Sequence, residues 1–234
     1  SAILFLTVSF GILSFIASLS LGAADISFND VTSSLLASFS TEKDVRDVIF
    51  FERIIWELRM PRAILAFLAG CGLAVSGLIL QTVTRNPLAD PYLFGISSGA
   101  SLGVVISIVL LGSTISLVTP IAAFAGSLVA MLMLLMISGR KQSQQVESML
   151  LAGVALSFLF SSFTSLLLYH TDPQAVTAVL FWTMGSFSRA QWGVLWFPAL
   201  VITSCVVMML AYRRQLNAML LGDESATTLG IKVK

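Results

Sequence analysis

The chain has 234 residues, of which 57% are hydrophobic and only 11% are charged, with a formal net charge of +1. Soluble domains usually carry about a quarter charged residues, so this composition and the mean hydropathy of +0.95 exclude an ordinary soluble domain. The balanced charge provides no basic surface for nucleic acid, and one histidine with two cysteines leaves almost no side chains for a metal site.

Long apolar runs dominate the chain and predict its fold class. A membrane-spanning helix needs about 20 apolar residues, because every backbone N–H and C=O must be bonded within the segment. Such runs cover residues 2–22, 63–84, 92–112, 114–138, 147–169 and 191–212. The sequence therefore predicts an all-α polytopic membrane protein with about six transmembrane helices, in one transmembrane domain over residues 1–234.

Two compact pairs of cations predict the orientation. Arg140-Lys141 and Arg213-Arg214 each flank the end of an apolar run, and Lys and Arg concentrate in cytoplasmic loops. The polar stretch over residues 25–62 then lies on the outer side. The chain begins inside an apolar run without an initiating methionine and ends without a stop signal, so it is interpreted as a fragment of a longer protein.

The outer start of the second run carries the segment Arg59-Met60-Pro61-Arg62. Pro61 favours the first turn of a helix, where its missing N–H is not needed. Arg59 and Arg62 are three residues apart and share one helix face. Two interpretations stay open: the arginines reach lipid head groups, or they dock the carboxylates of an external partner, since Arg binds a carboxylate with two parallel hydrogen bonds.

A polar turn, RNPLADP over residues 85–91, joins the second and third runs. Pro87 and Pro91 predict the stop of one helix and a constraint on the next, and Asn86 or Asp90 is a candidate cap. Beyond the turn, small residues recur four apart, a spacing that lets membrane helices approach closely. They are Gly95, Gly99 and Gly103, then Ala122, Gly126 and Ala130. Tight packing and lining of a substrate path are both compatible with this spacing.

The centres of the apolar runs carry no ionisable residue, and Gln81 near one end is the strongest polar group. Carriers coupled to protons or ions place such residues within the membrane, so the pattern argues against them. A membrane-embedded enzyme would need paired carboxylates or a histidine cluster, and His170 with Asp172 is interpreted as a solvated loop pair. We predict no catalytic and no metal-binding residue, and the chain lacks a phosphate-binding loop for nucleotide.

The C-terminal stretch over residues 216–234 is too polar to span a membrane and too short to fold alone. It is interpreted as two short helical pieces split at Gly222. Asp223 and Glu224 favour a helix N-terminus, and Gly230 favours a helix end. On the cytoplasmic side, such a segment suits a lever for a partner protein, with a plain connector to a further helix as the alternative.

Three blocks of sequence carry a resemblance to a known family. They are LRMPR at residues 58–62, GLAVSGLILQTVTRNPLADPYLFGISSGASLG at residues 72–103, and LGDE with LG at residues 221–224 and 229–230. They resemble the permease subunit of ABC importers for iron–siderophore complexes, haem and vitamin B12, called the FecCD or type II importer family. Its members usually have about ten helices, so this chain resembles roughly the first two-thirds of such a permease.

The resemblance implies roles for particular residues. It implies that Arg59 and Arg62 pair with glutamates of a periplasmic or lipoprotein substrate-binding protein. It implies that residues 216–234 form a cytoplasmic coupling segment, with the contacts to the ATPase made by Leu221, Gly222, Asp223, Glu224, Leu229 and Gly230. The expected gate and translocation path comprises Gln81, Asn86, Pro87, Pro91, Gly95 and Gly99.

The resemblance also implies an assembly in the bacterial inner membrane. Two copies of an ABC ATPase subunit would use ATP, while this multi-pass chain would bind no cofactor itself and would be no enzyme. A second permease chain would complete a homodimer or a heterodimer. The predicted function is import of a ferric siderophore, or of haem or cobalamin, by alternating access. The alternative is a secondary transporter or channel without an ATPase.

Overall fold

A computed structural model describes residues 2–22, 31–32, 53–110, 112, 118–138 and 145–220. Among these residues, every regular element is helical, which confirms the predicted all-α membrane fold. The elements are α1 (Ala2–Ser20), a π-helical segment (Ile54–Arg59), α2 (Met60–Thr84), a 3-10 segment (Pro91–Phe94), α3 (Ile96–Leu110), α4 (Val118–Ser138), α5 (Gln145–Tyr169), α6 (Pro173–Thr183), α7 (Trp192–Ala211) and α8 (Arg213–Leu220).

Within the described ranges, five helical stretches are long and apolar enough to cross a membrane. They are Ala2–Ser20, Ile54–Thr84, Val118–Ser138, Ser148–Tyr169 and Trp192–Ala211. The predicted third span is shorter than expected, because α3 has only 15 residues. At about 1.5 Å per residue it is roughly 22 Å long, against about 30 Å for the hydrocarbon core. The run loses helix length at its start, where the 3-10 segment ends at Gly95 in a left-handed conformation.

Backbone contacts divide the chain into two compact units. Unit 1 comprises Ser1–Gly72 and Phe187–Ser204, and unit 2 comprises Leu73–Ser186 and Cys205–Lys234. The single permease domain expected over residues 1–234 stays a prediction.

The core of unit 1 joins the end of α1 to the beginning of α2. Its buried residues are Leu19, Val31, Ile55, Met60 and Ala63. Leu19 is the buried residue of α1, whereas most other apolar side chains of this helix are exposed, Ile3 and Phe5 among them. Lipid is as apolar as these side chains, so their exposure is compatible with a membrane helix that is anchored at one end.

The core of unit 2 is formed where α3, α4 and α5 pack against one another. Its buried residues are Phe94, Ala130, Leu134, Ala152, Leu156 and Phe160. Small residues bring the backbones of α3 and α4 together: a Cβ added at Gly99 would lie 2.6 Å from the Ala130 Cβ and 2.7 Å from the Gly126 carbonyl oxygen. A Cβ added at Gly103 would collide with the Ala122 carbonyl oxygen. The structure thus has the close helix approach that the four-residue spacing predicts.

Candidate functional site

Arg59 joins two helices within unit 1. Its Nη1 donates hydrogen bonds to the carbonyl oxygens of Leu19 and Ser20, both at 2.6 Å. These carbonyls lie at the C-terminal end of α1, where backbone acceptors have no partner within the helix and a cation is favoured by the helix dipole. The half-buried Arg59 therefore holds the end of α1 against the beginning of α2.

Arg62 lies one turn further along and is exposed. Its Nη2 donates to the Ser188 carbonyl oxygen at 3.1 Å. Within the described residues, no carboxylate pairs with Arg62, and Glu57 of the preceding π-helical segment is bound to Arg53 at 3.0 Å. Of the two arginines predicted to dock a partner, Arg62 is thus the more accessible, whereas Arg59 already binds the backbone of α1. The docking role of both stays a prediction.

Pro61 is the second residue of α2 and so lies in its first turn, but the π-helical segment Ile54–Arg59 runs directly into this turn. In that segment the Met60 N–H bonds to the Ile55 carbonyl, five residues back. By the same pattern, residue 61 would bond to the Trp56 carbonyl, but proline has no N–H. The Trp192 indole Nε1 donates to this carbonyl at 2.9 Å instead. The sequence carries no signal of this compensation, because Trp192 is 136 residues away.

Both candidate caps of the polar turn over residues 85–91, Asn86 and Asp90, accept backbone hydrogen bonds. The Leu88 N–H donates to Asn86 Oδ1 at 2.9 Å, and the Tyr92 N–H donates to Asp90 Oδ1 at 2.8 Å. Side chains of this type stabilise turns by bonding the backbone two residues on. Pro91 occupies the start of the 3-10 segment that Asp90 caps. The turn is therefore ordered by its own residues, and the gating role of Asn86, Pro87 and Pro91 stays a prediction.

Arg85 links this turn to α8, whose last residues, 216–220, are the beginning of the predicted coupling segment. It has a left-handed backbone with φ of +50°, and its Nε donates to the Met219 carbonyl oxygen at 2.9 Å. Met219 belongs to the last turn of α8. The sequence carries no signal of this bond, since Arg85 and Met219 are 134 residues apart. The predicted coupling residues themselves, Leu221, Gly222, Asp223, Glu224, Leu229 and Gly230, lie outside the described residues.

The glycines assigned to the translocation path lie at contacts between helices of unit 2. Gly95 has φ of +74°, and a Cβ added to it would lie 3.0 Å from the Gly153 carbonyl oxygen of α5. Gly99 contacts α4 in the same way. Both glycines are buried, whereas Gln81 is exposed. Their place on a substrate path stays a prediction, and the contacts establish that the two glycines also serve packing.

The described residues contain no group of three or more His, Cys, Asp or Glu side chains arranged to hold a metal ion. His170 lies at the end of α5, with its Nδ1 3.2 Å from the Leu166 carbonyl oxygen. Asp172 precedes α6 and its side chain makes no capping bond. The candidate sites are therefore Arg59 and Arg62 near the junction of α1 and α2, and the turn capped by Asn86 and Asp90. Residues of these types suit contacts with a partner protein and conformational change.

Comparison with known proteins places these features in a family. The chain is 39% identical over 231 residues to the Fe(3+)-citrate import system permease protein YfmE of Bacillus subtilis, covering 98% of this chain and 65% of that protein. It is 40% identical over 185 residues to the hemin transport system permease protein HmuU of Yersinia pestis, covering 77% of this chain and 55% of that protein. The chain thus spans between about half and two-thirds of these relatives.

A solved structure of a metal-chelate type ABC transporter in an inward-facing conformation has the same fold. Its TM-score is 0.80 at 27% identity, and the match covers 99% of this chain and 68% of that one. The family model described as the FecCD transport family matches residues 10–234. The resemblance that the three sequence blocks carry is therefore confirmed, and the chain belongs to the FecCD transport family.

Proposed function

We propose that the chain forms part of the permease subunit of a binding-protein-dependent ABC importer in the bacterial inner membrane, with a ferric siderophore or a related iron chelate as its substrate. The observation that supports this most is the family match over residues 10–234. Relatives named for ferric citrate and hemin favour an iron-bearing substrate. Haem and cobalamin are the next candidates.

The transport cycle that we propose is alternating access, driven by two copies of a separate ATPase subunit. Residues 221–230 of the coupling segment would contact the ATPase, and the bond from Arg85 to Met219 would connect the start of that segment in α8 to the capped turn. The backbones of α3 and α4 are in close contact, and such packed interfaces do not deform continuously. We therefore expect the two helices to move together as one body. A second permease chain, identical or different, would complete the pore.

Deletion of residues 221–230 from the full-length protein is expected to abolish capture of the ATPase. A pull-down in mild detergent, followed by mass spectrometry, measures the recovery of the subunit from native membranes. The deleted protein must still elute as a single peak in size-exclusion chromatography. Recovery of an ATP-binding-cassette subunit with the intact bait alone would support the proposal. Retention of the ATPase after the deletion would show that its contact lies elsewhere on the chain. Uptake that continues on a proton gradient when ATP is depleted would favour a secondary transporter.

The substitution Arg62→Glu is expected to weaken binding of the substrate-binding protein by about tenfold or more, since a charge pair replaced by repulsion costs at least ~1.4 kcal/mol. The matched control is Arg189→Glu, which changes the charge equally on another exposed side chain of unit 1. Surface plasmon resonance at two salt concentrations measures both variants. Equal affinity losses would mean that only net charge matters, and this would remove the specific docking role of Arg62.

A further inference from the structure

Unit 1 contains a groove between α1 and the first turns of α2, with a volume of about 750 Å³. Pockets for small organic ligands typically measure about 300–1,000 Å³. Phe10, Gly11 and Phe15 line the groove from α1, and Ala63, Ala66 and Phe67 line it from α2. These residues recur at helical spacing, so each helix presents one continuous face to the groove.

The walls of this groove lie in two helices that are apolar enough to span a membrane. Phe10 and Phe67 are 73% and 62% exposed, so the groove is open at its side. No water is available within the hydrocarbon core to fill such a space. A flexible hydrocarbon chain fits the walls, because it needs no hydrogen bonds from them.

One end of the groove is cationic. Arg59 and Arg62 line it, and among its lining residues in the described part of the chain none is Asp or Glu. The helical stretch Ile54–Thr84 has 31 residues, or roughly 46 Å at 1.5 Å per residue, so it is longer than the hydrocarbon core of about 30 Å. Its first turns, which carry both arginines, therefore reach the level of the lipid head groups.

We propose that this groove binds an anionic phospholipid, with one acyl chain between α1 and α2 and the phosphate on Arg62. Arginine matches the geometry of a phosphate with parallel N–H donors. Arg59 binds the end of α1, whereas Arg62 is exposed and donates to one carbonyl. The phosphate contact shares Arg62 with the proposed docking function, whereas the acyl-chain contact is separate from it, because a soluble binding protein does not reach apolar walls within the membrane.

Photo-crosslinking of the full-length protein in nanodiscs tests this proposal, with no binding protein or ATPase present. The probes are phosphatidylglycerol and diacylglycerol, which carry the same photoreactive group on one acyl chain and differ in the presence of the phosphate. We expect peptides containing residues 10–18 and 63–67 to be labelled about tenfold more by phosphatidylglycerol, since one charge-assisted pair contributes about 1.5 kcal/mol. Arg62→Gln should remove this preference while labelling of the groove by both probes continues.

Two variants fill the groove without touching Arg62. A Cβ added at Gly11 meets no atom within 4 Å, so Gly11→Leu should fit and exclude the acyl chain, and Ala66→Leu should do the same from the opposite wall. The control is Gly70→Leu, which is equally unhindered and lies outside the groove. Loss of labelling in the first two variants alone would support the site. Equal labelling by both lipids, or unchanged labelling in Gly11→Leu and Ala66→Leu, would overturn it.

Discussion

Replacing Arg59 with Gln is expected to destabilise unit 1 by about 2 kcal/mol, because hydrogen bonds to a charged group contribute about 1.5–3 kcal/mol when well formed and this group is only half-buried. The substitution leaves the carbonyls of Leu19 and Ser20, each bonded at 2.6 Å, without their cation. Hydrogen exchange at the amides near the end of α1 measures the local effect, and thermal unfolding in detergent measures the effect on the whole protein.

The matched control for this prediction is Arg62→Gln. Arg62 is exposed and donates one bond of 3.1 Å, so its replacement should cost less than about 0.5 kcal/mol. A selective increase in exchange at the end of α1 for the Arg59 variant would support a structural role. If both variants had the same Tm and the same hydrogen exchange, the bonds from Arg59 to α1 would contribute no more to stability than the single surface bond of Arg62. If the Arg59 variant kept its stability and lost only binding of the substrate-binding protein, Arg59 would have a docking role and no structural one.

Replacing Gly126 with Ala is expected to destabilise unit 2 by about 3 kcal/mol, the upper end of the usual cost of overpacking. The added Cβ would collide with the Gly99 carbonyl oxygen and lie 3.2 Å from the Gly103 Cα. These obstacles are backbone atoms, so no side-chain rotation relieves them and the two helices must move apart. Gly126→Leu should prevent the packing of α3 on α4 altogether. The yield of monodisperse protein and the Tm report both effects.

Gly77 provides the comparison, since a Cβ added there meets no atom within 4 Å. Gly77→Ala should be neutral or stabilising by up to about 1 kcal/mol, because alanine favours helix over glycine by that amount. If Gly126→Ala were as stable as Gly77→Ala, then α3 and α4 would not approach as closely as the structure has them. Substrate uptake by the Gly126→Ala variant would further report whether the contact between α3 and α4 changes during transport.

Local patterns in the sequence predicted much of the fold. Five of the expected spans are confirmed by length and apolar character. The two candidate caps, Asn86 and Asp90, bond two residues ahead, and such short-range bonds depend mainly on neighbouring residues. The small residues of α3 and α4 predicted a close helix contact for the same reason, since their spacing is a property of each helix alone.

The roles of individual side chains at the candidate sites depend on distant partners. Arg59 binds a carbonyl 40 residues away, and Arg85 binds one 134 residues away, so neither role can be deduced from neighbouring residues. The residues expected to contact the ATPase stay predictions of the family resemblance.

The sequence by itself determined that this protein is a helical membrane protein of the FecCD family, because apolar run length and local motifs specify both. Tertiary structure alone decided that Arg59 binds the end of α1 while Arg62 stays exposed, and that Trp192 bonds the carbonyl of Trp56. The physical reason is that a hydrogen-bond partner of this kind is chosen by packing between distant segments, which no local pattern records.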